Sequence, residues 1–127
     1  MPDAVEARLK QIADQVIQQI GGDVQKLFAD LNATRLDGKG KITDAEIQMH
    51  HVRWGLEWKE NAITFKIRVA VRLVDDGVAA RVDQVLVQKE AWTPYDFEGH
   101  TPTTTMKQIA TMDANKIRDA VDALWGK

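Results

Sequence analysis

The chain has 127 residues and a formal net charge of −2, with 17 lysines and arginines against 19 aspartates and glutamates. This length fits a single domain over residues 1–127, and the charge balance argues against nucleic acid as a partner of the whole chain. The absence of cysteine and serine excludes thiol and serine nucleophiles, disulfides and cysteine-based metal sites. No apolar run reaches the ~18 residues of a membrane span, and the acidic N-terminus differs from a signal peptide, so we expect a cytoplasmic protein without membrane contact.

The first predicted element is an amphipathic helix. Asp3 and Glu6 have the spacing of a capping box, and apolar residues recur every three or four positions after them. Gly21 and Gly22 interrupt this stripe at a cost of about 2 kcal/mol relative to two alanines. Because the stripe keeps its phase across the glycines, we predict one kinked helix or two nearly collinear helices. The stripe consists of Val5, Leu9, Ile12, Val16, Ile20, Val24, Leu27 and Leu31.

The next segment carries conflicting signals. Residues 32–41 contain two turn dipeptides and are predicted to form a loop. Positions 43–46 have the sequence of a capping box, which favours a short helix from residue 44. Alternation of apolar and polar residues is already strong by Val52, however, and this favours a strand that begins near Ile47. We adopt the strand.

Residues 47–90 are predicted to form a three-stranded antiparallel meander. Positions 63–73 carry the clearest period-two pattern in the chain. Asp76-Gly77 is typical of a two-residue hairpin turn, and Glu60-Asn61 is predicted to form the preceding turn. Both turns place the apolar residues on one face of the sheet, which supports the pairing. The inward set begins with Val52, Trp54, Leu56, Trp58, Ile63, Phe65 and Ile67.

The third strand changes phase within its length. Val85 and Val87 fall on the opposite parity from Val82. Either a bulge near residues 83–84 returns them to the core, or the far end of the strand is covered on both faces.

The last third of the chain is predicted to contain a loop, a strand and a helix. Residues 91–102 form an aromatic loop, and the threonines of 103–111 favour a fourth strand. Asp113 then caps a helix over 114–125. One helix through the whole of 103–125 is the alternative, but it would place Asp113 inside its apolar stripe. The expected fold is a two-layer α+β sandwich: an N-terminal helix, an antiparallel meander of three or four strands, and a C-terminal helix.

No metal or cofactor is expected. Residues 37–46 resemble part of an EF-hand calcium loop in the glycine, the isoleucine and the last glutamate. Arg35 and Lys39 then stand where calcium needs oxygen ligands, so we predict that this segment does not bind calcium. His50 and His51 are neighbours on a strand and point to opposite faces. His100 is interpreted as a surface residue of the aromatic loop, with a His–carboxylate metal site as the alternative.

A set of cations lies on the outward parity of the meander. The predicted register puts Arg53 opposite Arg68. It also puts Arg72 opposite Arg81, and like charges that face each other across strands are unfavourable. In a chain of net charge −2 this is a local excess of positive charge. The candidate binding residues are Arg53, Lys66, Arg68, Arg72 and Arg81.

This face has three interpretations. It binds an anionic small molecule or an acidic protein, it is a solvated face covered by arginine stems, or the loop 91–102 covers it. Only Glu57 and Asp83 are expected as acidic neighbours on the face. Removal of one member of a facing pair, as in Arg68→Gln, is therefore expected to stabilise the free protein slightly.

The expected function is that of a small non-catalytic binding or assembly module. The outer sheet face and the aromatic loop are its contact surfaces, the loop contributing Trp92, Tyr95, Phe97 and His100. One alternative is an enzyme or small-ligand carrier with a pocket between sheet and helices, lined by Trp54, Trp58 and Phe65. We interpret both tryptophans as core residues instead. A structural component of a phage or secretion particle is a third class that fits a small acidic α+β chain.

Overall fold

A computed structural model describes residues 4–48, 50–93, 103–109 and 111–125. Helices cover one face of a five-stranded antiparallel sheet whose strands lie in chain order. The α+β class and the helix–sheet–helix order are as predicted, with five strands rather than three or four. The elements are α1 (Ala4–Val16), a π-helical turn (Ile17–Gly21), α2 (Gly22–Arg35), β1 (Lys41–Gln48), β2 (His51–Glu60), β3 (Ile63–Asp75), β4 (Ala80–Trp92), β5 (Thr103–Ile109) and α3 (Ala114–Trp125).

The N-terminal helix continues through its glycines. The π-helical turn joins α1 to α2 without a loop, as the unbroken apolar stripe predicts. A Cβ on Gly21 would lie 3.3 Å from Ile17 Cγ2 and 3.7 Å from the Trp54 ring. The missing side chain therefore lets the helix lie directly against the sheet. Asp3 of the predicted capping box lies outside the described residues.

Residues 41–48 form a strand of their own, so the prediction of a first strand beginning near Ile47 is wrong. Ile47 lies near the end of β1, which pairs with β2 as a hairpin. The capping-box sequence does not start a helix here because pairing with β2 satisfies the main chain instead. The register shifts between Thr43 and Glu46, and the Ala45 amide donates to Asp44 Oδ1 at 2.6 Å within this bulge.

The turn between β2 and β3 lies one residue later than predicted. Asn61 and Ala62 form it, with φ of 51° and 68°. A turn of this kind needs positive φ at both central residues, and alanine is a poor sequence signal for that conformation. The pairing therefore moves by two residues, which keeps every side chain on its predicted face. Trp58 lies opposite Phe65, the two rings stacked 5.5 Å apart.

The turn between β3 and β4 is longer than predicted. It spans residues 76–79, because the Asp76 carboxylate accepts hydrogen bonds from the amides of Val78 and Ala79, both at 2.9 Å. Asp75 pairs with Ala80, again a shift of two residues from the predicted register. The predicted bulge near residues 83–84 is confirmed, since the register shifts opposite it in β3.

Strand β5 and helix α3 agree closely with prediction. The strand ends at Ile109 rather than at residue 111. Asp113 Oδ1 accepts from the amides of Asn115 and Lys116 at 2.8 and 3.3 Å, which confirms it as the N-cap of α3. None of the helices in the described part of the chain is long and apolar enough to cross a membrane.

The core lies between the helices and the inner face of the sheet. Trp54 is 1 % exposed and Trp58 is 6 % exposed, so both are core residues as predicted. Trp125 of α3 stacks on Trp58 at a centroid distance of 4.5 Å. At the other end of the sheet, Arg8 of α1 makes a bidentate ion pair with Asp75, with distances of 2.6 and 2.9 Å. All of these contacts lie on the inner side of the sheet.

Candidate functional site

The outer face of the sheet holds all five predicted cations, but they do not face one another. Arg53 lies opposite Ala70, and Arg68 lies opposite Gly55. Arg72 lies opposite Gln84, and Arg81 lies opposite Val74. The predicted like-charge pairs are therefore wrong. The first turn lies one residue later than predicted and the second is longer, so each register shifts by two residues, and the bulge in β4 moves the partner of Arg72 by one more.

The acidic residues of the face are also more numerous than predicted. Glu46 from β1 lies directly opposite Arg53, and Glu90 from β4 lies directly opposite Lys66. Lys66 in turn lies opposite Glu57, so charges alternate from strand to strand. Such opposite-charge pairs across strands are mildly stabilising. The face is thus an ordered array of ion pairs rather than a set of mutually repelling cations.

These ion pairs differ in length and burial. Arg68 Nη1 lies 2.8 Å from Glu90 Oε1, and Glu90 is only 8 % exposed. The other three pairs are longer and involve more exposed carboxylates, with N–O distances of 3.3 Å for Lys66–Glu57, 3.8 Å for Arg72–Asp83 and 4.0 Å for Arg53–Glu46. Within the described residues, Arg81 makes no ion pair. One cation is therefore anchored and four are loosely held.

Burial of Glu90 changes the expected effect of Arg68. Within the described part of the chain, Glu90 Oε1 is buried and accepts no hydrogen bond of good geometry, so the charge of Arg68 is its principal compensation. The expectation that Arg68→Gln stabilises the protein depended on a facing arginine. Since the partner is a buried carboxylate, the substitution should destabilise it.

A depression of about 110 Å³ lies in the middle of this face, over Gly55. Gly55 contributes no side chain, so the neighbouring side chains rise around an open floor. The charged residues of the lining are Glu46, Arg53, Glu57, Lys66 and Arg68, with the side chain of Thr43 completing the rim on the β1 side. Three of the five predicted cations, Arg53, Lys66 and Arg68, therefore surround one concave site. Arg72 and Arg81 lie further along the face, toward the turn at residues 76–79.

His51 reports the positive potential of the face. It lies on the outer face directly opposite Arg72 and two residues from Arg53. Its pKa is lowered from the ordinary value of 6.5, first by partial burial and then by the charges of Arg53 and Arg72. The charges that act on His51 are therefore those of cations, although the face carries ion pairs.

Trp92 lies beside the site, in a strand rather than in the predicted loop. It ends β4, with Lys66 Nζ 5.7 Å from the centre of its ring. The Trp92 Nε1 is buried and has no hydrogen-bond partner among the residues that the structure describes. The remaining residues predicted as loop contacts, Tyr95, Phe97 and His100, lie outside the described residues.

One charged residue lies in the inner layer and escaped the sequence analysis. Lys89 follows Val85 and Val87 on the inward parity of β4, and burial lowers its pKa. Its ammonium donates to the Trp125 carbonyl oxygen at the end of α3 and lies 5.1 Å from the centre of the Phe65 ring. These contacts satisfy the C-terminus of a helix, which is a structural role.

Residues in and beside the calcium-like segment take part in the contacts of the fold. Arg35 donates to Asp122 of α3 at 2.7 Å, and Glu46 belongs to β1. In the described ranges of the chain, no group of three or more histidines and carboxylates could hold a metal ion.

The chain matches no protein-family model, no curated protein and no solved structure. A role for this protein must therefore be inferred from the geometry of the outer face. Sequence reasoning found its cations but missed Glu46, Glu90 and Gly55. The signal for Gly55 was available, because a glycine interrupts the middle of an otherwise regular strand.

Proposed function

We propose that this protein is a small, cytoplasmic, non-catalytic binding module whose outer sheet face docks an acidic segment of a partner protein. The observation that carries the proposal is the unequal strength of the ion pairs on that face. Four cations have long ion pairs or none, so they can exchange their present carboxylates for those of a partner. Exposed ion pairs contribute about 0–1 kcal/mol each, and their exchange therefore costs little.

The types of cation also favour carboxylate ligands. Four of the five are arginines, whose planar guanidinium can hold a carboxylate through two hydrogen bonds. Glu46, Glu57 and Asp83 interrupt the face with negative charge, which disfavours a stiff polyanion with fixed phosphate spacing, such as double-stranded nucleic acid. A flexible acidic segment, whose carboxylates can adjust to the spacing of the cations, fits this pattern better.

The packing of the inner layer supports a binding module over a ligand carrier. The carrier alternative needs a pocket between sheet and helices. Trp54, Leu56 and Val69 occupy that layer and are at most 1 % exposed. Two hollows between helices and sheet lie at its edges, between β5 and α3 and between α1 and the end of β1, and the concave site over Gly55 lies on the outer face.

A binding assay with poly-L-glutamate tests the proposal. The wild type should bind labelled poly-L-glutamate at low salt, and the affinity should fall as the salt concentration rises. A variant that lacks the loosely held arginines should bind about tenfold more weakly or worse, as measured by fluorescence anisotropy. That variant carries Arg53→Gln, Arg72→Gln and Arg81→Gln.

A control variant with the same change in net charge tests whether net charge alone explains the weaker binding. Three exposed helix residues are replaced on the opposite side of the molecule. The control carries Lys10→Gln, Lys26→Gln and Arg118→Gln. It should bind poly-L-glutamate as the wild type does. Equal weakening in both triple variants would mean that only net charge matters, and the docking face would then be abandoned.

A further inference from the structure

Gly55 is a glycine that the fold does not require. Its φ is not positive, whereas positive φ occurs at Gly38 and Gly77 among the glycines that the structure describes. A Cβ built on Gly55 would lie 3.7 Å from Thr43 Cβ and 3.8 Å from the Ile67 carbonyl oxygen, which are ordinary van der Waals distances. Neither backbone conformation nor packing therefore explains why this position lacks a side chain.

Gly40 shows what a structurally required glycine looks like in the same protein. A Cβ there would lie 2.7 Å from Leu36 Cδ1 and 2.8 Å from Asn32 Oδ1, closer than the packing can accept. Glycine inside a strand is otherwise unfavourable, because it gains chain entropy on unfolding and packs nothing. Glycine at position 55 has no steric reason, and its consequence for the surface is the open space above it.

Arg68 is held ready at the edge of this space. Glu90 contacts Nη1 from one side, and this buried carboxylate fixes the position of the guanidinium. The remaining guanidinium nitrogens of Arg68 have no protein partner among the described residues. Arginine donors that are fixed by a second carboxylate need little ordering when a ligand binds.

The charges around the depression favour a ligand with a single negative charge. Three cations and two carboxylates line the depression, and Glu90 offsets the charge of Arg68 from outside the lining. The net charge around the space is therefore close to zero, which disfavours a multiply charged ligand and favours a single carboxylate held by directed hydrogen bonds. We infer that the depression over Gly55 is a specific subsite for one carboxylate side chain of the acidic partner, with Arg68 and Arg53 as its donors. The inference rests on the proposed function and adds to it one specific contact, which determines where the acidic segment of the partner lies along the face.

Acetate is the probe for this subsite. Added sodium acetate should produce saturable changes in the backbone amide signals of Thr43, Gly55 and Arg68 in ¹H–¹⁵N NMR spectra. Sodium chloride at the same ionic strength should not produce them. Gly55→Val, which fills the depression, should weaken the acetate response at Thr43 and Arg68 by about tenfold or more.

Two further variants separate loss of the site from loss of the fold. Gly55→Ala places a methyl group on the floor, so its acetate affinity should fall between those of wild type and Gly55→Val, with a melting temperature equal to or above the wild type. Gly22→Ala is the matched control, since nothing lies within 4 Å of a Cβ at that exposed helical position. It should raise the melting temperature and leave the acetate response unchanged. If Gly55→Val does not fold, the alanine variant decides.

The failures of the two proposals are distinguishable. Acetate changes that chloride reproduces, or that persist unweakened in the position-55 variants, would overturn the subsite. If those variants and the wild type also bind poly-L-glutamate equally, the docking face stands without the subsite. Absence of poly-L-glutamate binding in the wild type would instead refute the docking face itself.

Discussion

The two faces of β2 and β3 differ completely although they share one backbone. On the inner face, Trp54 is covered by the helices and is 1 % exposed. On the outer face, its neighbours Arg53 and Gly55 border an open depression, and charged side chains are loosely paired across strands. Because side chains alternate between faces, one stretch of sequence serves folding on one side and leaves the other free for binding. Substitutions at adjacent residues should therefore have different consequences.

Substitution of Trp54 should give the largest effect and would define the folding face. Trp54→Ala removes a fully buried indole, and the helix that lies against this indole at Gly21 cannot close the space that is left. We expect a loss of about 3–5 kcal/mol in the free energy of unfolding, measured by denaturant titration. Arg53→Ala, one residue away, should change stability by no more than ~0.5 kcal/mol. Similar losses for the two variants would contradict the division between the faces.

Arg68 is the outer-face residue whose loss should resemble that of a core residue. Arg68→Gln leaves the buried Glu90 carboxylate without its cation, so we expect a destabilisation of about 1–3 kcal/mol. The double variant Arg68→Gln/Glu90→Gln should recover part of that loss, because the uncompensated charge is removed as well. Denaturant titrations of the four members of the cycle measure the coupling. A stabilised Arg68→Gln variant would show that the contact between Arg68 and Glu90 does not contribute to stability.

Titration of His51 should show the smallest effect and measures the field of the outer face. Arg53→Gln should raise the pKa of His51 toward 6.5, but only in part, because burial is the larger cause of the shift. Arg81→Gln, at a residue that does not contribute to the shift, is the control. Histidine NMR signals followed through a pH series give both values. An unchanged pKa in Arg53→Gln would mean that the charge of Arg53 does not contribute to the shift.

The same shift links His51 to stability with a definite sign. Its lowered pKa means that the folded protein disfavours the protonated form more than the unfolded chain does. Stability attributable to His51 is therefore complete above the unfolded pKa, and it falls as the pH drops below about 6.5. Arg53→Gln should reduce this acid-side loss.

Local sequence signals determined the secondary structure wherever they had no competitor. The period-two alternation of residues 63–73 defined β3 and its two faces, and Asp113 marked the start of α3. The face of each outer cation was also predictable, because a register error of two residues preserves side-chain parity. The position of the turn was not predictable, because Ala62 adopts a positive φ and an alanine side chain gives no signal for that conformation.

Only the tertiary structure decided which charges meet. Thr43 and Glu46 carry a helix-start signal, and pairing with β2 overrides it, so the sequence alone did not reveal that Glu46 belongs to the face. Glu90 reaches Arg68 diagonally across β3 and β4, a contact that depends on turn length and on the bulge in β4. The sequence thus contained the cations and the glycine, but their arrangement around a depression follows from strand register, which contacts between distant parts of the chain determine.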